Sequence, residues 1–182
     1  KLDDSLEAKI ESLLGQPWQR PADMEVGRAF DDKEAREKYI SYLLSTIHTR
    51  FDGLKVVVDC ANGAASYVAP EVLRRAGAEV IAISASPNGL NINENCGSTH
   101  LENVIAKVKS EKADIGIAHD GDADRVLAVD HEGNVIDGDY ILGILADHTD
   151  LPTKTVVGTV MANLGFKIAM RNEGIDIIET AV

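Results

Sequence analysis

Between residues 54 and 118 three short apolar runs alternate with two stretches of helical periodicity, a rhythm that few chain arrangements can satisfy. The first run, Leu54-Lys55-Val56-Val57-Val58-Asp59, is almost continuously β-branched, as expected of a strand covered on both faces. A helix is predicted over 66–76 and ended by Gly77; its Pro70 is acceptable only near the first turn, where amide hydrogens lack helical partners. Residues 79–83 form the second strand. Thr99-His100-Leu101-Glu102 reads as a capping box opening a helix with Leu101, Val104, Ile105 and Val108 on one side. Residues 114–118 complete the series. Strand, helix, strand, helix, strand specifies an α/β fold, a mixed and mostly parallel sheet flanked by helices with right-handed crossovers.

The flanking segments follow other rhythms. Asp4 and Glu7 frame the start of a short helix carrying Leu6, Ile10, Leu13 and Leu14, which Gly15 and Pro17 stop. Residues 16–30 read as a connector, and Asp31 and Glu34 as caps of a second helix bearing Tyr39, Leu43, Leu44 and Ile47. After the third strand, 126–130 and 135–137 flank Glu132-Gly133-Asn134, a hairpin that adds a strand to the parallel core. A helix over 139–147, a strand from 155 and a helix over 161–172 capped by Thr159 begin another unit. The last residues, 177–182, fall inside an apparent strand, so the chain is expected to be a piece of a longer protein with segments 1–50, 51–150 and 151–182.

The chemistry concentrates in Asp120-Gly121-Asp122-Ala123-Asp124-Arg125, directly after the third apolar strand. In an extended segment, residues two apart point the same way, so three carboxylates are expected to converge, with Gly121 permitting a tight bend. Two like charges about 4 Å apart repel by about 1 kcal/mol in water and about 4 kcal/mol at a surface-like dielectric, which a bound divalent cation would relieve. Oxygen-only ligands favour Mg2+ over zinc or copper. Arg125 beside them suits a phosphate that the metal also touches. The plain alternative is a solvated acidic loop, but the carboxyl end of a buried strand is where open α/β sheets carry ligands. An EF-hand is excluded, since its sixth position should be Gly and is Arg125, and its twelfth should be Glu and is His131.

The 182 residues are enough to bury a core, and a net charge of −12 disfavours nucleic acid and anionic membrane as partners. No apolar run reaches the roughly 18 residues of a membrane span and no signal-peptide pattern opens the chain, so a soluble, cytoplasmic protein is expected. Cys60 and Cys96 lack metal-ligand spacing, and Cys60 reads as an inert core thiol.

Four stretches carry a resemblance: Val58-Asp59-Cys60-Ala61-Asn62-Gly63-Ala64; Pro87-Asn88-Gly89-Leu90-Asn91-Ile92-Asn93 with Cys96-Gly97-Ser98-Thr99-His100; the acidic loop; and Val157-Gly158-Thr159-Val160-Met161-Ala162-Asn163. In order and spacing they resemble the α-D-phosphohexomutase superfamily from about residue 50 onward, and within it the bacterial phosphoglucosamine mutases. The resemblance implies four domains around a cleft, of which this chain would hold the tail of the first, all of the second and the opening of the third. It implies Mg2+ on Asp120, Asp122 and Asp124 against a phosphoserine, with Arg125 stabilising the transferring phosphate. The phosphorylated serine, the sugar-recognition loop and the last phosphate-binding loop would lie outside these residues, leaving the chain alone inactive. The substrate would be a phosphorylated amino sugar; neither sugar specificity nor oligomeric state is legible in this stretch.

Other residues admit two readings. Asn62 and Gly63 suit a turn needing positive φ. Asn91, Asn93 and Ser98 line the family's cleft entrance or simply order their loop. His100 reads as a solvated helix-start residue, and His119 as a partner of a metal-loop Asp or a histidine with an ordinary hydrogen bond. Two other functional classes compete with a mutase: a haloacid-dehalogenase-like phosphatase, which needs a nucleophilic Asp after its first strand, and a non-catalytic cation-binding α/β module.

Overall fold

The computed structural model describes every residue except Lys1 and Trp18. The chain forms two compact units, residues 1–33 and 34–182. In the first, α1 (Asp4–Leu14) is the expected short helix, but Asp3 is its N-cap and makes no side-chain cap bond. Glu7 is thereby the fourth helical residue, one place too far for a capping box.

The second unit opens with α2 (Ala35–Ser45), whose buried residue is Ile40 rather than the expected Tyr39, which is exposed. The alternating region follows as β1 (Lys55–Asp59), α3 (Ala65–Ala76), β2 (Glu79–Ile83), α4 (Glu102–Glu111) and β3 (Ile115–His119). The hairpin strands β4 (Val126–Asp130) and β5 (Val135–Ile136) complete a five-stranded sheet in the order β2-β1-β3-β4-β5. β1 pairs in parallel with both β2 and β3, whereas β4 and β5 are antiparallel additions. Right-handed crossovers that leave β1 in one direction and return past it in the other must place their helices on opposite faces. Side chains alternate accordingly. Val57 packs with Val104 and Val108 of α4, and Val56 and Val58 pack with Ala65 on the α3 side. Three layers result, with β1 covered on both faces as its composition requires.

Two local expectations need correction. Pro70 is the sixth residue of α3, not a first-turn residue, because the helix begins at Ala65; its ring is buried on the inner face, which offsets part of the roughly 3 kcal/mol cost of an internal proline. Thr99 does not cap α4. Residues Gly97–Thr99 form a 3-10 turn, and Leu101 stands at the N-cap without a side-chain bond. Gly77 does end α3, with φ of 113°, and the following Ala78 amide returns to the Leu73 carbonyl.

The α2 and α3 helices are joined by Arg75, whose guanidinium donates to both oxygens of Glu37 at 2.6 and 3.0 Å. Beyond the hairpin, α5 (Gly138–His148) is capped by Asp137, whose carboxylate accepts from the Tyr140 amide. Strands β6 (Thr155–Thr159) and β7 (Asp176–Thr180) pair in parallel around α6 (Leu164–Asn172). Phe166, Met170 and Ala146 form their core. Asn163 caps α6, not Thr159, whose hydroxyl instead accepts from the Met161 amide just after β6. The helix starts three residues later than its hydrophobic pattern, and the first polar residue able to cap that start is Asn163.

Candidate functional site

The connection after β1 turns back toward one edge of the sheet, and β3 lies on the other side of β1. The carboxyl ends of β1 and β3 therefore flank the switch point, where open α/β sheets form ligand crevices. Both loops at that point are locked together. Ala64 donates its amide to the Gly121 carbonyl at 2.9 Å, and Gly63 abuts Gly121 so closely that a Cβ at 63 would lie 2.7 Å from the Gly121 Cα. It is Asn62, with φ of 48°, that takes the left-handed conformation; Gly63 is required by contact rather than by φ.

The loop of residues 84–98 closes the third side. Asn62 accepts the Ser86 amide, Asn93 donates its amide to the Ala61 carbonyl, and Asn91 bridges Asn88 and Ser86 through its own side chain. These asparagines order the loop. The Ile92 side chain and the Asn93 side-chain Nδ2 lie directly over Gly121, so that a Cβ there would have to displace them.

Within the acidic loop, Ala123 has φ of 55° and its amide returns to the Asp120 carbonyl at 3.0 Å. The chain is turned, not extended, so the alternation expected to gather three carboxylates does not operate. Asp120 is nearly buried and bends back into its own loop, accepting the Arg125 amide at 3.0 Å and its guanidinium at 3.0–3.1 Å. Burial pushes the Asp120 carboxyl upward, but the Arg125 amide, the Asp124 side chain and the Arg125 guanidinium outweigh it and hold the group below the usual carboxylate range. Asp124 is 74% exposed with an oxygen 3.7 Å from the Arg125 Nε, and the Arg125 side chain is 72% exposed. Asp122, Asp124 and Arg125 line one side of a cleft of about 550 Å³ whose other walls include Leu43, Val68 and Ile117. Among the described residues, no three acidic, histidine or cysteine side chains are spaced to hold a metal. The donors themselves, carboxylate oxygens only, fit a hard cation such as Mg2+. One of them is engaged by Arg125.

His119 precedes the loop with its Nδ1 buried and without a hydrogen-bond partner among the described residues, so neither hydrogen bond expected for it is present. Burial holds this imidazole below its ordinary pKa, opposed by the charges of Asp120 and Asp59. His100 is exposed beside the 3-10 turn. Burial raises the Cys60 thiol to about 12, consistent with an inert core residue.

Sequence reasoning missed Asp59. It ends β1 with no exposed surface, and its two oxygens accept the amides of Ala61 at 2.9 Å and Gly97 at 3.0 Å. A carboxylate closing an otherwise β-branched strand was the available signal. Its burial also removes the phosphatase alternative, because the only Asp placed like that nucleophile has both oxygens engaged by backbone and no access to substrate.

A three-layer α/β domain with an acid-rich loop and an exposed arginine at its switch point belongs to the class of open-sheet proteins that carry their ligands at the carboxyl ends of the strands. Comparison with known proteins narrows the class. The α/β/α domain II of phosphoglucomutase/phosphomannomutase matches residues 37–133 and domain III matches 137–182, and the chain belongs to this family. It is 54% identical over its whole length to a phosphoglucosamine mutase of Streptomyces griseus and 53% identical to one of Mycolicibacterium paratuberculosis. In each case the chain spans 42% of the relative's length. A crystallised phosphoglucomutase/phosphomannomutase family protein from Burkholderia thailandensis superposes with a TM-score of 0.68 at 26% identity, covering 81% of this chain and 33% of that one. No helix among the described residues is long and apolar enough to cross a membrane.

Proposed function

We propose that the chain is the central part of a phosphoglucosamine mutase, interconverting glucosamine 6-phosphate and glucosamine 1-phosphate through a phosphoserine and a bisphosphate intermediate. The observation that carries this reading is identity above 50% with phosphoglucosamine mutases across all 182 residues. Asp120, Asp122 and Asp124 are the proposed Mg2+ ligands. Mg2+, when bound, neutralises charge on the transferring phosphoryl group. Arg125 contributes a planar guanidinium that can hold two phosphate oxygens, and its exposure supports that role. The Gly63–Gly121 contact and the loop of residues 84–98 keep the acidic loop in place, and positioning supplies much of the rate in phosphoryl transfer. The same reading gives the whole enzyme a phosphorylated amino sugar as partner and a cytoplasmic location. Its serine and its sugar-recognition loop come from parts of the enzyme outside these 182 residues.

The test is a chimaera in which residues 1–182 replace the matched stretch of the Streptomyces griseus enzyme. Interconversion of glucosamine phosphates, lost on Asp122→Asn at low Mg2+, is expected, with no activity in the isolated chain. A folded, serine-phosphorylated chimaera without mutase activity would refute the reading, as would hydrolysis of p-nitrophenyl phosphate by the chain alone that Asp120→Asn abolishes.

A further inference from the structure

Asp59 lies beneath the acidic loop, out of contact with the cleft and with solvent. A buried carboxylate is costly unless hydrogen-bonded, and here both oxygens take backbone amides instead of a cation. Each amide belongs to a left-handed turn. Ala61, with φ of 52°, begins the turn that brings Gly63 against Gly121 and lets Ala64 donate to the Gly121 carbonyl. Gly97, with φ of 76°, sits so near the His119 carbonyl that a Cβ would lie 2.5 Å from that oxygen. His119 and Gly121 are the two neighbours of Asp120.

We propose that Asp59 is a positioning residue for the acidic loop: one carboxylate fixes the two backbone turns that grip residues 119–121 from either side. The geometry requires two acceptors on one side chain, because two N–H groups from segments 36 residues apart in sequence converge on it. Asparagine has the same shape but offers one acceptor and one donor, so it must lose one grip and oppose the other N–H with its own. The consequence for catalysis rests on the mutase reading; the clamp itself does not.

Amide exchange in the isolated chain tests the clamp without metal or substrate. In Asp59→Asn the amides of Ala64 and Arg125 should exchange about tenfold faster or more, the size expected for loss of one charge-assisted hydrogen bond, while Val57 and Val129 in the sheet keep their protection. Changes confined to Ala61 and Gly97, or an equal loss at every amide, would overturn the proposal. Should the variant fail to fold, native-state exchange of the unaltered chain decides: Ala61, Ala64, Gly97 and Arg125 should open as one unit with a common denaturant dependence, and separate openings refute a clamp. In the chimaeric enzyme, Asp59→Asn should raise the Mg2+ concentration for half-activity several-fold, with sugar phosphate KM unchanged and turnover recovering at saturating Mg2+. A lowered melting temperature with an unmoved Mg2+ midpoint would reduce Asp59 to a fold residue. If the unaltered chimaera is inactive, the mutase reading fails while the exchange result still stands on its own.

Discussion

Replacing Gly63 with alanine attacks the contact on which the site is built, and the cost can be worked from the structure. The new Cβ would overlap the Gly121 carbonyl oxygen and lie 2.7 and 2.8 Å from its Cα and carbonyl carbon. Carbon atoms prefer separations of about 3.5–4.0 Å, so one of the two loops must move by roughly 1 Å. No side chain can rotate to relieve this, since every obstructing atom is backbone. Overpacking of this kind costs about 1–3 kcal/mol, and losing the bond from the Ala64 amide to the Gly121 carbonyl adds about 1 kcal/mol. Restricting the unfolded chain returns about 0.4–1 kcal/mol, leaving a net destabilisation of roughly 1–4 kcal/mol. For a protein of this length that corresponds to a melting temperature lower by about 2–16 °C. Urea unfolding followed by circular dichroism, alongside a thermal scan, measures both. Gly138→Ala is the control. It lies at the start of α5 with nothing within 4 Å of its new Cβ, so it should be neutral or stabilising by up to about 1 kcal/mol. If Gly63→Ala stays within about 0.5 kcal/mol of the parent, the two loops are not packed as described and the switch-point argument loses its footing.

Arg125→Gln should tighten, not weaken, Mn2+ or Mg2+ binding to the isolated chain by about two- to fivefold, because it frees the nearly buried Asp120 from an ion pair whose solvent-screened arginine limits it to about 1 kcal/mol. Weaker binding by calorimetry would mean that Asp120 is not a ligand. Neither Cys60 nor Cys96 should react with a disulfide reagent at pH 8 in the folded chain, since both are buried and burial raises both thiols, Cys60 to about 12; two thiols should appear on unfolding, and rapid native labelling would contradict the packing. Asp130, held below its ordinary pKa first by the Asn134 side chain and then by turn amides, binds fewer protons folded than unfolded. The stability it adds to the β4–β5 turn is therefore present above about pH 4 and lost as pH falls through the lowered folded value. A carbon-detected titration should show Asn134→Ala moving this carboxyl upward, and an unmoved midpoint would rule out that cause.

What could be read from the sequence was what depends on local pattern. Alternating apolar runs announced the strands, because a β-branched run such as 55–58 has few other ways to be buried, and the hairpin around Gly133 followed from turn chemistry. Helix starts were less legible. Thr99 and Thr159 are good cap residues by type, but where a helix begins is decided by tertiary fit, and α4 and α6 begin at Glu102 and Leu164 instead. The acidic loop was visible as a cluster of charge, yet its geometry was not. Convergence of the three Asp residues assumes an extended chain, and the left-handed Ala123 together with the return of Asp120 to Arg125 replaces it with a turn in which Asp120 is the carboxylate closely engaged by Arg125.

The contacts that shape the site pair residues far apart in the chain, Gly63 with Gly121 and Asp59 with Gly97. A glycine needed for a left-handed turn has neighbours that suggest a turn, whereas one needed because another backbone passes within van der Waals contact carries no local signal. That is why Gly63 read as half of an Asn-Gly turn: the dipeptide is right, but Asn62 alone takes the positive φ, and Gly63 is small for the sake of Gly121. The same reasoning explains Asp59. A charged residue at the end of a buried strand is improbable as packing, and its two oxygens are taken up by backbone amides from two loops that meet at the sheet's switch point.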